Sequence, residues 1–164
     1  MRTVPLFFLV CLLGQAEGAS CTAKDFSGVY AFHAQATNVT NSAILTFAGS
    51  LTANGDGKIT AWKDQAVTAA NPIVPPEFKL VTDVLDRYEQ ARSLGAEIVY
   101  TVGRDCLIKI NGTFLGPTGA PSPLVWAGAL VAGGKGALLM NASAQSPYIS
   151  LVTVKRAAKK AKEE

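Results

Sequence analysis

His33 is the only histidine in the chain, so any general-base or nucleophile-activating chemistry by an imidazole has to run through it. It shares strand parity with Val29, Ala31 and Gln35, which turns it either towards a cavity or towards solvent. No G-x-S-x-G elbow accompanies it. Asp64 and Glu97 are the clearest carboxylates in strand-like segments, while Asp56 and Asp105 fall in turns. Glycoside hydrolysis needs two acids opposed across a cleft, and their spacing does not supply that. No phosphate-binding loop, dinucleotide fingerprint or H-E-x-x-H is present, so no cofactor is expected. Asn54-Gly55-Asp56-Gly57 looks like part of a calcium loop. Read from Asn54, however, the glycine position of such a loop holds Ile59 and its final acidic position holds Gln65, so a hairpin turn is the better reading.

Cys11 lies in an N-terminal leader, which leaves Cys21 and Cys106 in the mature chain. With no C-x-x-C spacing and a single histidine, they make no zinc site, and no metal is expected. In an oxidising compartment an even pair is most simply a disulfide. It would close a loop of about 85 residues, which chain entropy values at roughly 4.6 kcal/mol as an upper figure. Lipidation of Cys21 is the competing use of that sulfur and would leave Cys106 without a partner. The residue three places earlier is Gly18, where a lipidation signal usually has an apolar side chain.

Aromatic residues are the better hint of function. Tyr30, Trp62, Tyr100 and Trp126 each fall in a strand-like segment. Inside a barrel they would either present rings to a small apolar ligand or fill the core. With His33 they form the candidate ligand-binding set. Three N-x-S/T sequons begin at Asn38, Asn111 and Asn141. Asn111 shares parity with Lys109, opposite Ile108 and Ile110, and is expected on the outside.

The elements that must position these groups read as short apolar runs parted by turn residues. Eight such runs begin near Phe26, Ala43, Lys58, Glu97, Cys106, Pro123, Gly136 and Tyr148. That number suits a closed antiparallel barrel, which leaves no sheet edge exposed. One segment differs. Phe78, Val81, Val84, Leu85, Tyr88 and Ala91 recur at three and four, with Pro75 and Pro76 before them and Gly95 after. The spacing predicts an amphipathic helix over about 76–94, packed across a barrel mouth or against its wall.

The start, Met1-Arg2-Thr3 followed by an apolar run from Pro5 to Gly14 and small residues, has the three parts of a secretory signal peptide over 1–18. Cleavage is expected after Ala16 or Gly18. The run is about half the roughly 20 residues a membrane-spanning helix needs. The net charge is +3, and the last ten residues hold five basic and two acidic side chains, which accounts for it. The body is close to neutral and offers no basic surface for nucleic acid. The tail over 156–164 reads as a solvated, disordered end capable of weak contact with an anionic surface.

The strand order S-G-V-Y-A-F, then N-G-D-G, then Y-T-V-G-R-D-C ending at Cys106, then a closing V-T-V-K-R resembles a group of small secreted bacterial proteins. Their pattern runs G-x-Y-x-F, D-G-x-G, Y-T-V-x-x-D-C and a basic last strand, and the likeness spans most of the mature chain. It implies a lipocalin-like barrel and an N-terminal cysteine paired with Cys106. It implies no activity. The predicted helix departs from it.

The expected protein is therefore mainly β: an eight-stranded antiparallel barrel of the calycin or allene oxide cyclase type over 19–155, with one inserted helix. It is expected to be secreted or periplasmic, with a lipid anchor on Cys21 as the alternative. The expected function is non-enzymatic binding of a small apolar ligand or a surface partner. A barrel-type cyclase or isomerase, or a structural or adhesive surface protein, are the alternatives. Glu97 or His33 facing an apolar cavity would favour the enzyme.

Overall fold

A computed structural model describes residues 20–38, 44–69, 78–80, 84–115, 120–143 and 148–157, without the side chains of 66–69, 78–80, 132 and 148. The segment expected to be a signal peptide, 1–18, lies outside the described residues; of the expected tail over 156–164, Arg156 ends β10 and residues from 158 on lie outside them. The elements are β1 (Ser27–Asn38), β2 (Ile44–Asn54), β3 (Ile59–Ala69), β4 (Phe78–Leu80), β5 (Leu85–Asp86), α1 (Arg87–Ser93), β6 (Val99–Val102), β7 (Leu107–Leu115), β8 (Pro121–Val131), β9 (Gly136–Asn141) and β10 (Tyr148–Arg156). They form an antiparallel, strongly curled sheet in the order β4-β3-β2-β1-β10-β9-β8-β7-β6, with β5 added on β3.

Alternation drives the strands. Along β1, Tyr30, Phe32, Ala34 and Ala36 point into the core, while Val29, Ala31, His33 and Gln35 are exposed. The N-G-D-G segment is a hairpin turn, as expected. The Asn54 side-chain oxygen accepts from the backbone N–H groups of Asp56 (2.8 Å) and Lys58 (3.0 Å), so it serves the turn rather than a cation.

The start of β3 meets β6 at one end of the molecule. Lys58 bridges Val99, the Ile59 N–H donates to the Ile98 carbonyl (2.9 Å), and the Tyr100 N–H donates to the Gly57 carbonyl (2.8 Å). The Lys58–Glu97 ion pair (2.8 Å) sits over this seam but is exposed and screened. Further along, β3 pairs instead with β5 and β4, and α1 lies against β3 and β7.

The seam end is closed by the chain's own N-terminal segment. A 3-10 turn at Ala23–Asp25 leads into fully buried Phe26. Gly134 crosses directly over it with φ +63°, where a Cβ would sit 1.8 Å from the Asp25 carbonyl oxygen. Only glycine suits both demands. The Cys21–Cys106 disulfide, with a Cα–Cα distance of 4.9 Å, ties this segment to the β6–β7 turn. Cys106 itself holds φ 62°, a left-handed conformation uncommon for a residue with a side chain.

The expected helix over 76–94 is corrected. Among the described residues of that segment, helix is confined to Arg87–Ser93, and Phe78–Leu80 and Leu85–Asp86 are strands. Asp86 starts the helix by accepting from the Glu89 N–H (3.1 Å). The segment before Asp86 is rich in β-branched Val81, Thr82 and Val84, and sheet pairing with β3 overrode its apolar period where the chain is described. The expected strand count of eight is also exceeded, because β4 and β5 arise within the segment read as helix.

Candidate functional site

Four of the five residues expected to bind a ligand sit in the interior, packed on one another and on phenylalanines. Tyr30, Trp62, Tyr100 and Trp126 are all buried. Trp62 meets Trp126 at 4.8 Å between ring centroids, Phe114 at 5.5 Å and Phe32 at 5.5 Å, and Phe32 reaches Trp126 at 5.7 Å. Nearer the closed end, Phe26 stacks on Tyr30 at 4.4 Å and meets Tyr100 edge-on at 5.2 Å. These tilted and edge-on geometries are those of a packed core. Both phenols are spent on backbone. Tyr100 donates to the Phe26 carbonyl (2.7 Å), and Tyr30 donates to the Gly134 carbonyl (3.1 Å).

His33, the fifth, leaves that set. It is exposed on the outer face, opposite Thr153 of β10 and Ala48 of β2. Glu97 is exposed as well, paired with Lys58 across the seam. Neither faces the interior, so the support each would have lent a cyclase is missing. Among the described residues, no group of His, Cys, Asp and Glu gathers as a metal site.

One polar cluster lies within the apolar wall, and the sequence reading did not anticipate its geometry. Asp64 follows Trp62 on the same face of β3 and is buried. Its carboxylate accepts from Arg87 Nε (2.9 and 3.1 Å to the two oxygens) and from Trp62 Nε1 (3.3 Å). The Arg87 guanidinium also donates to Gln90 (3.2 Å) and lies 5.8 Å from the Phe114 ring centroid. Both carboxylate oxygens are engaged and the charge is balanced. The cluster ties α1, which lies against β3 and β7, to β3 through the Arg87–Asp64 contact. Asp64 and Glu97 do not face one another as a hydrolase pair would.

Outside, the arrangement is different. Leu107 (55% exposed), Leu138 (51%), Met140 (60%), Leu151 (52%) and Ile149 (69%) stand on the outer face of β7, β9 and β10. On β8 between them, the outward positions are small, Ala127 and Ala129. Low alanines between taller neighbours make an open trough of about 430 Å³, walled by Leu107, Lys109 and Met140 and floored by Ala127. Scattered surface leucines need no explanation, but a contiguous set on adjacent strands does. The signal lay in β8 and β9, which are apolar at successive positions rather than alternate ones. A solvated outer face would not need that.

Of the sequons, Asn111 is partly exposed on the Lys109 side of β7, whereas Asn141 pairs across from buried Trp126 and accepts from the Ser143 N–H (2.9 Å). Asn38 ends β1, and Val39 and Thr40 lie outside the described residues.

Burial pushes the Tyr100 phenol above its usual value, since the ionised oxygen would lose solvation. A phenol whose pKa is raised by folding stabilises fully below pH about 10 and loses that contribution as pH rises through the folded value. Stability is therefore expected to fall above pH 10, and Tyr100→Phe should flatten that slope although it lowers stability at pH 7. Denaturant titrations between pH 8 and 12 check this. An unchanged slope in the variant would remove Tyr100 as the cause.

The fold and this surface define a class: a mainly β, disulfide-bonded curled sheet with aromatic residues packed on one another in its interior and an apolar outer trough. Comparison with protein-family models, with curated proteins and with solved structures returns no match in any of the three.

Proposed function

We propose that this protein is exported and works as a non-enzymatic binding protein whose partner meets the outer face of β7–β10 rather than an enclosed cavity. The observation that carries the reading is the contrast between the two faces. The aromatic residues that would line a ligand cavity pack against each other, while five large apolar side chains outside are each more than half exposed. This favours the surface partner over the small enclosed ligand, and stands close to the structural or adhesive alternative.

The architecture proposed is a closed, eight-stranded, lipocalin-like barrel of β1–β3 and β6–β10, with β4, β5 and α1 completing the wall. The seam contacts of Lys58 and Ile59 with Ile98, Val99 and Tyr100 support closure. The likeness to small secreted bacterial barrels agrees with it. Export to an oxidising compartment rests on the leader at 1–18 and is favoured by the disulfide. The same bond occupies the Cys21 sulfur that a lipid anchor would require, which favours the unanchored form.

A titration with octyl glucoside below its micelle concentration, followed by backbone and indole N–H resonances, tests the face. The amides of Leu107, Ala127 and Met140 should shift while the Trp62 and Trp126 indoles stay still. Movement of the indoles with a quiet outer face would overturn the reading in favour of an interior site.

A further inference from the structure

Between Leu107 and Lys162 the chain contains no aspartate or glutamate, yet it holds seven lysines and arginines. Folding brings the four strands of that stretch together as one contiguous surface, because β7, β8, β9 and β10 are successive neighbours in the sheet. Register aligns two rows across it. Leu107, Ala129, Leu138 and Thr153 form one, and Lys109, Ala127, Met140 and Leu151 the next. At the seam end of these rows, Arg104, Lys135 and Lys155 are exposed. The single acid among them, Asp105, accepts from the Leu107 N–H (3.2 Å).

A face of this kind combines apolar side chains with a rim that is mainly cationic. A second copy of the chain would satisfy the leucines but bring identical cations together, which disfavours association. A nucleic acid would satisfy the cations and leave the apolar rows in water. Anionic headgroups above an acyl layer satisfy both. We infer that the partner of the β7–β10 face is an anionic lipid surface, on which Leu107, Leu138, Met140 and Leu151 enter the headgroup–acyl boundary and Arg104, Lys109, Lys135 and Lys155 pair with headgroups. The trough floored by Ala127 accommodates part of an acyl chain. The inference rests on the surface-binding reading above and gives that surface its chemistry. The basic tail adds charge next to the end of β10 but is not the recognition element.

Flotation of the oxidised protein with phosphatidylglycerol vesicles tests this, with phosphatidylcholine vesicles alongside. Binding to the first and not the second, weakened by salt, is expected. Leu138→Ser with Met140→Ser keeps every charge, and Lys109→Gln with Lys135→Gln keeps the apolar rows. Each pair should weaken partitioning by about tenfold or more, the lysine pair through what each basic residue contributes near an anionic surface and the apolar pair through the side-chain area no longer buried in the headgroup–acyl boundary. These side chains are exposed, so melting curves should match the parent protein. Three results would overturn the inference: no flotation with either lipid, equal flotation with both, or binding lost only when Lys159, Lys160 and Lys162 are changed to glutamine. If octyl glucoside still marks the outer face while vesicles do not bind, the surface reading survives and the lipid partner falls.

Discussion

Replacing Trp62 with alanine is expected to lower the free energy of unfolding by about 3–5 kcal/mol. The indole is 1% exposed and touches Trp126, Phe114 and Phe32, so truncation opens a cavity where three aromatic rings now meet. It also removes the Nε1–H donor from the Asp64 carboxylate, which still faces Arg87. Trp62→Phe separates the two effects. It keeps most of the ring contact and loses the donor, with an expected loss of about 1–3 kcal/mol. Denaturant unfolding at pH 7 with unchanged m-value is the measurement. A loss below about 1 kcal/mol for Trp62→Ala would mean that the interior is not packed as described and has room for a guest.

Removing the disulfide is the second large effect. Cys21→Ser with Cys106→Ser should cost about 2–5 kcal/mol, since the bond closes a ring across 85 residues of sequence. The loss has a local component too. Without the bond, the 3-10 turn at Ala23–Asp25 is held by the Cys21 N–H to Arg104 carbonyl contact (3.3 Å), the Tyr100 hydroxyl and the packing of Phe26. Hydrogen exchange should therefore speed up first at residues 22–27 and at the 103–107 turn, ahead of the global transition. Thermal unfolding with and without reductant gives the same comparison in the unaltered chain. An unchanged melting temperature under reduction would show that the pairing does not hold the closed end.

The strands were legible because this sheet buries one side of most strands. In β1 the alternation of Tyr30, Phe32 and Ala34 against Ala31, His33 and Gln35 carries the face assignment directly. Where a strand is apolar on both sides, alternation says nothing. In β9, Leu138 and Leu139 are consecutive, and only pairing with β8 and β10 decides that Leu139 goes inside and Leu138 outside. The outer face was hidden for that reason, and so was its charge, because the acid-free stretch becomes a surface only when four strands assemble. The helix was misread because period alone cannot see that Val67, Thr68 and Ala69 of β3 offer a free edge to Phe78–Leu80. His33 was ambiguous by parity until its cross-strand partners were known. The Asp64–Arg87 contact joins residues that sequence gives no reason to pair.

Native mass spectrometry of the protein recovered from its own secretion, with Leu138→Ser and Met140→Ser in a parallel preparation, tests the central claim most directly. The account predicts a mature chain beginning near Glu17 or Ala19, two hydrogens light from the Cys21–Cys106 bond, with any non-covalent companion lost in the outer-face variant. A one-to-one companion that both proteins retain until they are denatured would contradict it, because that molecule would have to sit among the aromatic side chains of the interior.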